Sequence, residues 1–223
     1  KPVDTPGAHQ EIIGHELVDD VVLVDQSPIG KTARSNPASY VGALDAIRKL
    51  FALTPLARER KYTPGAFSFN SGTGRCPTCS GNGFEHIEMQ FLSDVYLRCV
   101  DCDGKRYRDE ILEVMLTGTN GQIAGKSISD VLGMTVSEAC DYFAGHRNVL
   151  RGLSPLNAVG LGYVKLGQPV PTLSGGEAQR LKLAGHLAQT TGRKKRTRGN
   201  LLLFDEPTTG LHFDDIATLL TAL

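Results

Sequence analysis

At 223 residues the chain is about one and a half typical domain lengths, enough to bury a core without staples. With 40% hydrophobic and 22% charged residues, and 24 bases against 24 acids, the composition excludes disordered, collagen-like and coiled-coil classes. No apolar run approaches the ~20 residues of a membrane helix, and Lys1-Pro2-Val3-Asp4 does not open a signal peptide, so no membrane partner is expected. The sequence has no initiator methionine, and the helical spacing of Ile216, Leu219 and Leu220 runs to Leu223 without a cap, so it reads as a fragment. The neutral total averages blocks of opposite sign. Residues 1–30 hold six acids and one base, 189–200 five bases and no acid, and 201–223 four acids and no base, so local patches decide what binds where.

Val21-Val22-Leu23-Val24 predicts a buried strand. The next eight residues, Asp25 to Thr32, match the phosphate-loop pattern GxxxxGK[ST] except at the first position, where Asp25 replaces glycine. Two physical objections count against that loop. A carboxylate would sit among the amides that cradle phosphate, and Asn36-Pro37 interrupts any helix starting at Lys31. The stretch reads instead as a loop between two domains.

Cysteines at 76, 79, 99 and 102 form two Cys-x-x-Cys pairs separated by nineteen residues, each followed two positions later by glycine, Gly81 and Gly104. This is the spacing of a four-thiolate zinc site, and glycine permits the positive φ that such tight turns use. A disulfide framework lacks any secretory context, and a redox pair would not be duplicated. The expected zinc is structural, with all four positions filled by protein. Arg58, Arg60, Lys61, Arg75, Arg98, Lys105, Arg106 and Arg108 surround this segment. They could form a phosphate-binding surface, or a solvated rim, since residues 58–108 also carry six acids. Further on, Thr135 and Glu138 fit a capping box, and Val136, Ala139, Cys140 and Phe143 form a helical stripe that makes Cys140 an ordinary core residue.

Leu173-Ser174-Gly175-Gly176-Glu177 opens a helical pattern with apolar positions at Ala178, Leu181, Ala184, Leu187 and Ala188. Ser174 and Glu177 fit a capping box. Two glycines in the first turn cost helix stability but let a polyphosphate approach backbone amides at the positive end of the helix dipole. The basic run Arg193, Lys194, Lys195, Arg196 and Arg198 reads as a solvated loop. Leu201-Leu202-Leu203-Phe204 then leads to Asp205-Glu206-Pro207, a central strand delivering two acids at its carboxyl end, where parallel α/β sheets bind ligands. Asp205 suits Mg²⁺ held through its hydration shell, and Glu206 suits the base that activates a water attacking a γ-phosphate.

Leu-Ser-Gly-Gly-Glu followed by a hydrophobic-Asp-Glu-Pro strand resembles the signature and Walker B motifs of ABC-type ATPases. The longer strings at 25–40, 62–70, 76–106, 159–167, 172–184 and 205–213 resemble the UvrA family, the damage-sensing ATPases of nucleotide excision repair, in the C-terminal half of their two-ATPase polypeptide. The resemblance implies an α/β fold: a partial ABC-type ATPase domain with an inserted, mainly helical signature domain carrying a zinc module. It places 1–30 and 159–223 in the ATPase fold and 31–158 in the insertion, with the zinc module at 76–102. Gln26 would be the Q-loop glutamine that contacts Mg²⁺ and the attacking water. Ser174, Gly175, Gly176 and Glu177 would close on nucleotide held by a different ATPase half. Asp205 and Glu206 would take the Walker B roles. The cofactors implied are structural Zn²⁺ and, in the intact protein, ATP with Mg²⁺. The partners implied are double-stranded DNA, a second ATPase half, a second subunit in a dimer and a UvrB-type helicase, at a cytoplasmic location. The family's phosphate loop and switch histidine fall outside Lys1–Leu223, so the resemblance implies that this chain alone neither binds ATP tightly nor hydrolyses it. His212 belongs to the 205–213 string and is not that histidine.

Two other readings stay open at this stage. A UvrA-like paralogue serving drug resistance or another DNA transaction would carry the same motifs. The string Cys76 to Gly83 also resembles the zinc repeats of DnaJ-type co-chaperones, although Arg106 stands where the second repeat would have its last glycine.

Overall fold

A computed structural model describes residues 7–30, 32, 34–87, 95–118, 124–190, 199–208 and 213–222. Lys31, the basic run 193–198 and the string Gly210-Leu211-His212 lie outside the described residues. Strand β1 (Val18–Val24) is followed by three short helices, α1 (Pro37–Tyr40), α2 (Ala43–Ala52) and α3 (Pro55–Glu59), and a 3₁₀ turn at Pro64–Phe67. A hairpin of β2 (Phe84–Ile87) and β3 (Val95–Arg98) precedes α4 (Asp109–Leu112), α5 (Ile128–Gly133), α6 (Val136–Tyr142) and α7 (Arg147–Ala158). The chain then enters the long α8 (Gly175–Thr190), β4 (Gly199–Phe204) and α9 (Phe213–Ala222). No helix among the described residues is long and apolar enough to cross a membrane.

Local chemistry sets where helices begin. Asn36, Ser127 and Thr135 each accept the N–H of the residue three ahead, whose own side chain returns the bond. The Thr135–Glu138 box is the one the sequence predicts. Cys140 packs half-buried against the core beside the fully buried Val136, Ala139 and Phe143.

β1 and β4 pair in parallel, Val22 opposite Leu202 and Val24 opposite Phe204, although about 175 residues separate them in sequence. Among the described residues, the crossover between them carries helices α1 to α8 and the β2–β3 hairpin, joined by turns and irregular segments. The core runs without a break from Val24 through Ile47, Phe51, Phe67, Leu153 and Leu161 to Leu181 and Leu219. The sequence reading of Val21–Val24 as a buried strand and of Leu201–Phe204 as a central one is corrected here. Val22, Val24, Leu202 and Phe204 turn inward, whereas Val21, Leu23, Leu201 and Leu203 are between 44% and 58% exposed. A continuous apolar run serves a strand covered on both sides, and the described residues cover only one.

Phe51 on α2 is fully buried with its ring 5.4 Å from that of Phe67. Phe51→Ala should lower stability by about 3–5 kcal/mol in urea unfolding. A loss below 1 kcal/mol would show that α2 is not part of the shared core.

Candidate metal centre and carboxylate site

The two Cys-x-x-Cys turns close on each other. Cys76 Sγ lies 3.8 Å from Cys99 Sγ, and Cys79 Sγ lies 3.7 Å from Cys102 Sγ. All four sulfurs fall within 4.8 Å of one another and all four residues are buried. Thiolates about 2.3 Å from a tetrahedral zinc stand about 3.8 Å apart, so the cluster fits that ion and is far too open for disulfides. The two turns repeat one backbone pattern. Ser80, Gly81 and Gly83 have φ of 51, 83 and 81°, and Asp103, Gly104 and Arg106 have 45, 79 and 73°. Each turn ends with an N–H directed at sulfur, Gly83 N to Cys79 Sγ at 3.2 Å and Arg106 N to Cys102 Sγ at 3.4 Å. Gly81 is also forced by space, since a Cβ there would lie 2.0 Å from the Phe69 carbonyl oxygen. Burial pushes Cys79 up and Cys102 up to about 12, while the Cys102 N–H holds Cys99 down. A dication reverses this balance by binding the deprotonated forms, so metal uptake releases protons.

The structure corrects the reading of Arg106 as a phosphate contact. Arg106 is buried, with Cζ 5.0 Å from the Phe69 ring centroid and Nη2 donating to the Gly167 carbonyl at 3.4 Å. It fills the position of the second turn's missing glycine and pins the cysteine module to the 159–167 segment. Arg34 is a second pin, donating to Asn82 Oδ1 at 2.9 Å and to the Ser80 carbonyl at 3.3 Å. Of the other cations in this group, Arg60 pairs with Glu113 and Arg98 with Asp103. Arg75 and Arg108 donate to the Asn70 and Arg75 carbonyls.

The second cluster gathers at the carboxyl ends of β1 and β4. Ser174 and Glu177 form the expected box: Glu177 Oε2 accepts from Ser174 N at 2.8 Å, and Ser174 Oγ accepts from Glu177 N at 3.3 Å. Glu177 Oε1 accepts the Tyr163 hydroxyl at 2.7 Å, and Arg180 Nη2 donates to that hydroxyl at 3.3 Å. Burial alone would raise the Glu177 pKa, but the Ser174 N–H and the Tyr163 hydroxyl outweigh it and hold the carboxyl below its ordinary range. Gln26 lies against the start of α8, where a Cβ on Gly175 would fall 3.0 Å from Gln26 Oε1. Asp205 and Glu206 are exposed, and Glu206 takes a left-handed φ of 47°, a strained backbone of the kind found at functional turns.

Two α8 residues that the sequence reading left without a role join these parts. Gln179 is buried, and its Nε2 donates to the Val24 and Asp205 carbonyls, both at 2.7 Å. Lys182 pairs with the Asp25 carboxylate and donates to the Asp25 carbonyl at 3.1 Å and Ser27 Oγ at 2.7 Å. The Lys182 bond, with that from Ser27, holds the Asp25 carboxyl below its usual range. This removes the phosphate-loop reading of 25–32: Asp25 is occupied from within the chain, and the next helix starts only at Pro37.

No family model matches the chain. Among curated proteins it is 55% identical over 219 residues to UvrABC system protein A of Thermus thermophilus, covering 98% of this chain and 22% of that protein. It is 53% identical over 217 residues to the protein of that name in Methanothermobacter thermautotrophicus, covering 97% and 21%. Among solved structures, UvrA2 from Deinococcus radiodurans matches with a TM-score of 0.83 at 48% identity, over 94% of this chain and 24% of that one. The chain is homologous to UvrA and spans about a fifth of the length of the curated relatives it matches. The match includes the α8 and β4 motifs as well as the cysteines, which leaves the co-chaperone reading without support.

Purified protein never exposed to chelator should carry one zinc per chain by elemental analysis, and Cys102→Ser should lose most of it. A metal-free wild type would refute the site. Because Arg106 combines a left-handed φ with a cation–π contact, Arg106→Ala should destabilise more than Arg106→Gly, by about 1 kcal/mol. Equal losses in thermal unfolding would show that its backbone stores no strain.

Proposed function

We propose that the chain is a segment of a UvrA-type, ABC-class ATPase of nucleotide excision repair, from the C-terminal half of the polypeptide, which couples ATP binding and hydrolysis to binding of double-stranded DNA. The observation that supports it most is the convergence of Gln26, Asp205, Glu206 and the capped start of α8 at the carboxyl ends of two parallel strands. In this reading Asp205 and Gln26 hold hydrated Mg²⁺, and Glu206 accepts the proton of the water that attacks the γ-phosphate. Ser174, Gly175 and Gly176 present amides and a hydroxyl to nucleotide held by another ATPase half, in a dimer. Glu177 serves that face as its cap, because both its carboxylate oxygens already accept bonds within the chain. Cys76, Cys79, Cys99 and Cys102 hold a structural zinc, and a UvrB-type helicase is the further protein partner.

For the DNA contact, the charge is better placed on Lys49, Arg147 and Arg151 than on Arg106. These three line one cavity of about 820 Å³ between α2 and α7, and no ion pair among the described residues engages them.

In the full-length protein, Glu206→Gln should cut ATP turnover about a hundredfold or more while nucleotide still binds; unchanged turnover would overturn the hydrolytic assignment. Replacing Lys49, Arg147 and Arg151 together by alanine should reduce the slope of log affinity for duplex DNA against log salt by about 2 to 3. A slope equal to that of the parent would clear this face of phosphate contact.

A further inference from the structure

We propose that Lys182 is a positioning residue for the hydrolytic site: acting through Asp25, it fixes the turn that carries Gln26 relative to α8 and the Asp205–Glu206 strand end. The inference rests on the ATPase reading above and adds to it a residue that the motif pattern does not assign.

The geometry has three parts. Gly175, Gln179 and Lys182 recur at the i, i+4, i+7 spacing that puts them on one face of α8. Along that face they meet four consecutive residues of the other segment: Gly175 meets Gln26, Gln179 meets the Val24 carbonyl, and Lys182 meets Asp25 and Ser27. An ammonium has three N–H donors, and Lys182 directs them to three different acceptors, the Asp25 carboxylate, the Asp25 carbonyl and Ser27 Oγ. Its side chain is only 16% exposed and that of Asp25 only 28%, so this is not a loosely solvated pair that side-chain entropy would dissolve. Ser27 Oγ also donates to Asp25 Oδ1 at 2.7 Å, closing a ring of bonds around the turn.

Gln26 sits inside that ring without bonding to Lys182. Removing the ammonium leaves a partly buried carboxylate without its countercharge, held by the Ser27 hydroxyl alone, and the turn opens to solvate it. The opening displaces Gln26 while leaving its chemistry intact, which is the signature of a residue that positions rather than reacts. Misplacement of a reacting group by about 1 Å costs up to about a hundredfold in rate, so loss of Lys182 should read as a fall in kcat rather than a rise in KM. The position where the phosphate-loop pattern requires glycine holds aspartate because aspartate is the acceptor that Lys182 needs.

The test is steady-state ATP hydrolysis by the full-length protein, comparing wild type with Glu206→Gln, Lys182→Met, Lys182→Arg, Asp25→Asn and the double variant Lys182→Met/Asp25→Asn. Lys182→Met and Asp25→Asn should each lower kcat about tenfold or more, with KM for ATP within about twofold of wild type. The double variant should be no worse than the poorer single one, and Lys182→Arg should recover most of the rate. Hydrogen–deuterium exchange should quicken at the amides of 25–30 in the same variants and stay unchanged at 76–106. Should Lys182→Met not fold, the nearly isosteric Asp25→Asn carries the test. A variant whose melting temperature falls while kcat per folded molecule is unchanged would overturn the proposal, as would a loss confined to KM or additive losses in the double variant. Wild-type protein without Glu206-dependent hydrolysis would instead sink the ATPase reading, and this inference with it.

Discussion

Where β1 and β4 end, one side-chain amide, that of Gln179, donates to the carbonyls of both Val24 and Asp205 at 2.7 Å, and the Val24 carbonyl takes a longer bond of 3.4 Å from the Asp205 N–H. A buried polar side chain left without its partners costs about 1–3 kcal/mol, and Gln179 is buried, so its two bonds hold α8 at this register against the strand ends. That constraint places the rest of the site. It brings Gly175 to Gln26 one turn earlier and Lys182 to Asp25 one turn later. It also lets β4 stop at Phe204, so that the chain turns out through Asp205 and the left-handed Glu206 and both acids face solvent.

The cysteine module answers a similar problem by different means. Two Cys-x-x-Cys turns bury four thiols, and burial pushes two of them toward their neutral forms, Cys79 up and Cys102 up to about 12. The hairpin of β2 and β3 is too small to form a core of its own, so the module depends on its ligands and on being pinned to its neighbours. Arg106 does both: its N–H caps Cys102 Sγ, and its guanidinium reaches over Phe69 to Gly167. A glycine in its place would satisfy the turn and lose the pin.

Features written in short spacing were legible before the fold was known. The Thr135–Glu138 and Ser174–Glu177 boxes, the four cysteines and the carboxylate-ended strand each depend on residues a few positions apart, where geometry follows from local backbone. Contacts spanning the whole chain left no such trace. Lys182 and Asp25 are 157 positions apart, and nothing near either names the other. Arg106 looked like one of eight cations on a rim because composition does not reveal burial. Its place at the missing glycine of the second turn was the available signal, since a residue forced to positive φ has its side chain aimed by the turn. The Val21–Val24 and Leu201–Phe204 runs read as buried and central strands because an apolar run states a preference and does not supply the neighbour that satisfies it.

Polar bridges and apolar packing divide the work between the helical part and the strand ends. Arg106 to Gly167 and Arg34 to Asn82 are side-chain links across 61 and 48 positions of sequence, and Tyr163 to Glu177 is a shorter one across 14. At about 1 kcal/mol net per hydrogen bond, together they are too weak to hold the parts against thermal motion. The shared core does that: Leu153 and Leu161 pack in the same cluster as Leu181 and Val24, and burying each such side chain is worth about 1.5–3 kcal/mol. The bridges instead choose one alignment among those a greasy interface would tolerate, because each fails if its partner slides by more than a fraction of a hydrogen-bond length. A close-packed core transmits displacement while polar links fix its zero point. A shift of the cysteine module must therefore break the Arg106 bond or carry the 159–167 segment with it, and break the Arg34 bonds or carry Arg34. Tyr163 lies in that segment, so a shift carried this way reaches Glu177, the cap on which the start of α8 depends.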